Sequence, residues 1–148
     1  MRARTITGYL QTDHERLDAI AAEVNRLAGA GSLDAARARF ADFVAGLKRH
    51  IDVEERLLFP TFEERTGMTG GPTAVMRVEH ADIRECMARV TAALMGKDVP
   101  GARRALDDLA SFLATHNLKE ERVLYPTTDR VLETPEALEA LVARMEAF

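Results

Sequence analysis

Sliding the sequence by 66 residues lays its first half on its second without a gap. HIDVEERLLFP, from His50 to Pro60, falls on HNLKEERVLYP, from His116 to Pro126, and upstream His14 falls on His80. Between Thr7 and Thr61, 15 of 55 positions are identical, and all four histidines of the chain take part. Chance identity between unrelated helical stretches would scatter over Ala, Leu and Arg. Here it takes in every histidine, and seven of the 15 identities fall in the stretch from His50 to Thr61, which marks an internal duplication. Whatever fold the chain takes must be assembled twice from one unit.

Each unit reads as a helical hairpin. The loops are Gly29-Ala30-Gly31-Ser32, Thr66 to Pro72, and Gly96-Lys97-Asp98-Val99-Pro100-Gly101. Ser32 and Asp98 occupy equivalent places and are good N-cap residues. Thr134-Pro135 is a further start signal, with Pro at the first helical position. Helices are expected near 5–28, 33–65, 72–95, 101–131 and 135–147, within one domain over 1–148 whose repeat units run about 5–66 and 71–132. Pro60 and Pro126, late in the long helices, each remove a backbone donor and are expected to kink or end them.

Apolar spacing says which faces turn inward. Leu10, His14, Leu17, Ala21, Val24 and Ala28 form one stripe at steps of four and three, and Phe40, Phe43, Leu47, His50, Glu54 and Leu57 form a second. Met76, His80, Ile83, Met87, Val90 and Leu94 form the third; Leu106, Leu109, Leu113, His116, Glu120 and Val123 form the fourth. Four such stripes joined by short loops predict an all-α, antiparallel up-down four-helix bundle with a short C-terminal helix. All four histidines, with Glu54 and Glu120, fall in the stripes to be buried.

That burial needs a counter-charge. Buried ions keep a penalty of several kcal/mol each even after relaxation, and unpartnered neutral polar groups add ~1–3 kcal/mol each. The sum rivals the ~5–15 kcal/mol stability of a whole domain, and no Lys or Arg lies in the four stripes. Metal cations resolve the conflict. His50 with Glu54, and His116 with Glu120, sit one helical turn apart on one face and form chelating pairs; His14 and His80 add a nitrogen each. Four imidazoles and two carboxylates exceed the needs of one four-coordinate zinc. They suit two metals, each with two histidines, bridged by both glutamates. Nitrogen and oxygen donors without thiolate favour iron among redox metals, with Mn or Zn as substitutes. Four protein ligands per metal leave room for an oxo or hydroxo bridge and an exogenous molecule. Cys86 lies about 120° off the seam and is not counted as a ligand.

Composition narrows the remaining classes. A net charge of −4 and a pI near 5.6 create no basic field for nucleic acid or anionic lipid. A single cysteine excludes a disulfide framework and suits a reducing compartment. No stretch approaches the ~20 apolar residues of a membrane span, and MRARTITGYLQTDHERL has no apolar signal core. The expected location is the cytoplasm.

The order His14, His50-Ile51-Asp52-Val53-Glu54, His80, His116-Asn117-Leu118-Lys119-Glu120, with Leu58-Phe59-Pro60 and Leu124-Tyr125-Pro126 following, resembles the hemerythrin-like HHE cation-binding domains. The resemblance spans roughly residues 7–130. It implies a four-helix bundle around a non-haem di-iron centre that meets O2, peroxide or NO. Oxygen-carrying hemerythrins bear a further histidine where this chain has Met76, and HxxxxD where it has HxxxE. The chain is therefore more similar to the symmetric, histidine-poorer branch, which puts reversible O2 transport in doubt. Ferritin-like proteins use ExxH pairs, and no Glu lies three residues before any histidine here.

The expected function is binding of O2, peroxide or NO at open di-iron positions, in oxidative or nitrosative stress handling. Two alternatives stand beside it: an iron or oxygen sensor read by a protein partner, and metal storage or a structural metal site. Asp13, Glu55, Glu79 and Glu121 read as solvent-facing helix charges, the rival reading being that one accepts a histidine's second N–H. Helical phase favours neither Tyr9 nor Tyr125 at the centre. Met76, Leu10, Phe43 and Leu47 are expected to wall the cavity. The stripe Leu138, Leu141, Val142, Met145 and Phe148 is expected on its own bundle rather than in a homodimer or partner contact.

Overall fold

The computed structural model describes residues 4–148. Among these residues seven α-helices run as α1 Ile6–Gly29, α2 Leu33–Val53, α3 Phe59–Thr66, α4 Pro72–Met95, α5 Val99–Lys119, α6 Tyr125–Val131 and α7 Pro135–Glu146. Five-residue π turns, Glu54–Leu58 and Glu120–Leu124, join α2 to α3 and α5 to α6. Among the described residues there is no strand. The bundle is all-α: α1 packs on α2 and α4 on α5 as hairpins, and the hairpins meet through α1 with α5 and α2 with α4. Among the described residues no helix is long and apolar enough to cross a membrane.

Local chemistry sets the helix ends. The Thr5, Asp98 and Thr134 side chains accept hydrogen bonds from the Gly8, Gly101 and Ala137 N–H groups, satisfying otherwise orphaned donors. Ser32 departs from expectation, for its side chain makes no capping bond. Gly67 closes α3 at φ 73°, a left-handed conformation that glycine adopts without penalty. The two repeats also hold each other's beginnings. Asp129 accepts from the Ile6 N–H at 2.7 Å and the Thr7 hydroxyl at 2.6 Å, while Glu63 accepts from the Thr73 hydroxyl at 2.7 Å.

The four stripes are buried as their spacing predicts, except that Ala21 is only partly buried and that two further positions depart for one shared cause. Val123 is 53% exposed and Leu57 only half-buried; the inward residues are instead Leu58, Phe59 and Phe62, and Leu124, Tyr125 and Thr128. A π turn carries one residue more than an α turn, so the inward face slips by one position after each glutamate. The same turns accommodate the prolines. Pro60 and Pro126 do not end their helices but stand in the first turn of α3 and α6, directly behind the π turns.

Two apolar clusters fill the bundle. One contains Leu17, Leu47, Ile83 and Leu113; the other contains Leu10, Val53, Met76 and Leu124. Each fully buried aliphatic side chain in them contributes about 1.5–3 kcal/mol. The four histidines lie where these clusters meet along α1, α2, α4 and α5, as a polar layer in an otherwise apolar interior. Helix α7 covers the second cluster with Leu141, Val142 and Met145, and Arg49 donates to the Met145 carbonyl at 2.9 Å. Phe148 stays 43% exposed, beneath the Arg56 guanidinium.

Candidate metal centre

His14 comes from α1, His50 from α2, His80 from α4 and His116 from α5, while Glu54 and Glu120 open the two π turns. None of the six is more than 3% exposed. They form two sets whose donor atoms lie within 4.8 Å of one another: His14, His50, Glu54 and Glu120, and Glu54, His80, His116 and Glu120. Both glutamates belong to both sets. The Nε2 atoms face inward, with His14 and His116 each 3.3 Å from Glu120 Oε1 and His80 3.2 Å from Glu54 Oε1. All six sequence-predicted residues are thus brought together, two histidines on each side of a shared carboxylate pair.

A family model for the hemerythrin HHE cation-binding domain matches residues 5–128. The chain belongs to this family. No curated protein and no solved structure matches it significantly. The match ends before α7.

The site of this HHE domain fits a metal on its own chemistry. Glu54 Oε1, His80 Nε2 and Glu120 Oε2 are buried without any hydrogen-bond partner. Glu54 Oε1 and His80 Nε2 lie close but are not aligned to bond each other. Leaving such groups unsatisfied costs about 1–3 kcal/mol each, more when charged, and a cation between them satisfies all three.

The outer nitrogens correct one expectation. Asp13, Glu55, Glu79 and Glu121 are not merely solvent-facing charges. Each accepts an Nδ1–H bond of 2.8 Å: His14 donates to Glu121, His50 to Asp13, His80 to Glu55 and His116 to Glu79. Every bond crosses between helices and obeys the repeat symmetry, since the His14–Glu121 pair maps onto His80–Glu55. Such partners fix the tautomer and leave Nε2 free for a metal.

These acids also shape the charge of the site. Burial opposes charge on His50, but Glu54 and Asp13 outweigh it and push the imidazole up to about 10. His116 is raised to about 9 against the same burial by Glu120 and Glu79. Asp13, despite burial, is held at about 2 by His50 and Arg16, and Glu54 lies well below the usual carboxylate range beside His50.

Tyr125 is the residue that helical phase misses. Its hydroxyl donates to Glu54 Oε2 at 2.6 Å and lies 3.0 Å from Glu120 Oε1, 3.2 Å from His14 Nε2 and 3.4 Å from His50 Nε2. The slip at the second π turn swings it inward. The equivalent residue of the first repeat is Phe59, whose ring stacks on His80 with centroids 5.5 Å apart. The two halves of the centre therefore differ: one has a phenol, the other a bare ring. Tyr9 is not part of the site and lines a surface groove with Arg4 and Arg16.

Proposed function

We propose that this chain is a non-haem di-iron protein. In this reading His14 and His50 hold one iron, His80 and His116 the other, and Glu54 and Glu120 bridge them. The observation that carries the reading is the membership of both carboxylates in both four-residue sets. One ion would leave half the imidazoles over; two use every donor. The thiolate-free donor set favours iron, with Mn or Zn as possible substitutes. Iron, when bound, supplies the redox chemistry and unfilled coordination positions that O2, peroxide or NO require.

The chain's own residues define what such a molecule meets. The four outer carboxylates hold the imidazoles in one orientation, so the pocket is preorganised. Leu10, Leu17, Met76 and Ile83, all buried one turn above or below a histidine, exclude bulk water. Tyr125 keeps a proton on its oxygen on the His14–His50 side, because burial and the neighbouring Glu120 and Glu54 push its ionisation well above the usual phenol range. On that side an arriving ligand finds a hydrogen-bond donor, and on the other it finds Phe59. This asymmetry supports a role in handling oxidants or NO more than symmetric storage.

Metal analysis of protein purified from iron-supplemented cells, followed by mixing with peroxide or NO under an absorption spectrometer, tests the proposal. Two irons per chain, ferric charge-transfer absorption and a spectral change lost in His116→Ala are expected. A colourless protein carrying zinc would overturn it. Two irons without any reaction, but with a large loss of thermal stability on iron removal, would turn the assignment to a sensor read by a partner.

A further inference from the structure

The two outer faces of the bundle related by the repeat are not equivalent. Between α2 and α4, Arg84 donates to Glu55 at 3.2 Å, with Lys48 and the partly buried Val44 beside it and the buried Met87 beneath. Between α1 and α5, the corresponding residues are Asp18 for Arg84, Glu121 for Glu55, Ala114 for Lys48, Ala110 for Val44 and Ala21 for Met87. Both cations are missing and the bulky side chains are reduced to methyl groups. A cavity of about 460 Å³ opens there.

Its floor is Phe43, Leu106, Leu109 and Leu113, all buried members of the core. Its polar edge is Asp18, Asn25, Asn117 and Glu121. Among the described residues, the Asp18, Asn25 and Asn117 side chains make no hydrogen bond or ion pair, and Glu121 is engaged only through the oxygen that holds His14. The α2–α4 face has a smaller cavity of about 310 Å³ and sets its own guanidinium against Glu55; the α1–α5 face leaves two carboxylates without a cation over an apolar floor. The volume lies in the range of small-molecule sites, which combine an apolar lining with a few polar groups at one edge.

We propose that the α1–α5 groove binds a small organic cation, an amine or guanidinium carrying a short apolar tail. The cationic head takes the place beside Glu121 and Asp18 that Arg84 takes beside Glu55, with Asn117 as a further acceptor. The tail lies on Phe43 and the three leucines. Ion pairs at an exposed rim add little by themselves, so the apolar floor supplies affinity and the carboxylates supply selectivity for charge. The site is separate from the metal centre but touches it through Glu121.

Isothermal titration of the as-purified protein with hexylguanidinium, and with uncharged hexylurea as control, tests this. The expected result is saturable one-to-one binding, about millimolar or tighter, with hexylurea at least tenfold weaker. Installing the residues of the α2–α4 face, Asp18→Arg or Ala114→Lys, should weaken hexylguanidinium at least tenfold; both sites are at the surface, so folding is not at stake. Lys48→Ala, on the other face, should leave binding unchanged. Equal binding of the urea, unchanged binding to Asp18→Arg, or absence of saturable binding would overturn the proposal. A chain that sediments as a dimer and takes up no probe would also overturn it, giving the groove to a second copy.

Discussion

The Tyr125 hydroxyl lies 2.6 Å from Glu54 Oε2, a bond that joins the second repeat to the first across the centre of the bundle. Its twin position holds Phe59, so no mirror-image bond exists. One protic group thus serves a carboxylate pair that two equal halves would otherwise share evenly.

Replacing that phenol isolates its contribution. In Tyr125→Phe, Glu54 Oε2 loses its donor while the ring volume is kept, which should cost the metal-free chain about 1–3 kcal/mol. Metal content should remain at the parental level. Urea unfolding and metal analysis on the same sample check both parts, and unchanged stability would remove Tyr125 from the account.

The shared carboxylates are less replaceable. Glu54→Ala removes a donor from both four-residue sets, so bound iron should fall below one equivalent per chain rather than to one. Full retention after dialysis, measured by elemental analysis, would refute the bridging assignment.

The outer carboxylates should matter nearly as much as the ligands they steer. Glu121→Ala frees His14 to rotate, and Glu55→Ala does the same for His80. Each should lower metal affinity by about 10- to 100-fold. Competition against a chelator of known strength measures this, and the two losses should be similar because the repeat relates the two pairs.

Acidity of the metal-free chain gives a fourth expectation. His50 and His116 rise from 6.5 to about 10 and about 9, so their protonation stabilises the folded state. That contribution is complete below pH 6.5 and is lost as pH climbs through 9 and 10. Asp13 falls from 3.8 to about 2; its contribution is present above pH 3.8 and is lost as pH drops through 2. The metal-free protein should therefore melt highest between about pH 4 and 6.5 and less readily hold its fold toward pH 10. Metal-loaded protein should be nearly flat from pH 6.5 to 9, since the ligating Nε2 atoms carry no proton to lose. Melting curves by circular dichroism across this range check both.

Much of this was legible in the chain because helical periodicity and duplication report burial directly. His14, His50, His80 and His116 stood out by recurring on apolar faces, as did Glu54 and Glu120. Periodicity failed where winding changed. Regular α geometry carried through turns that hold an extra residue puts Leu57 and Val123 inward and does not favour Tyr125 at the centre, whereas the extra residue turns Tyr125 in and Val123 out. A signal was available: after Glu54 the large apolar residues recur at Leu58, Phe59 and Phe62, one position late for the stripe. The outer carboxylates were obscure for a different reason. Asp13 and Glu121 neighbour one ligand in sequence but grip a histidine on another helix, and no single-helix pattern encodes that pairing. Their recurrence as Glu79 and Glu55 was the available clue.

The extra residue in each π turn bears on how such a chain can change its length. Deleting one residue anywhere from Glu54 to Leu58, or from Glu120 to Leu124, would restore regular winding and turn everything beyond it by about 100°. Leu124 and Tyr125 would swing toward solvent, and the prolines would meet an intact α ladder that cannot spare their N–H. An outward-facing position such as Val123 can vary in side chain, yet the spacing it maintains cannot be shortened without dismantling one wall of the metal chamber.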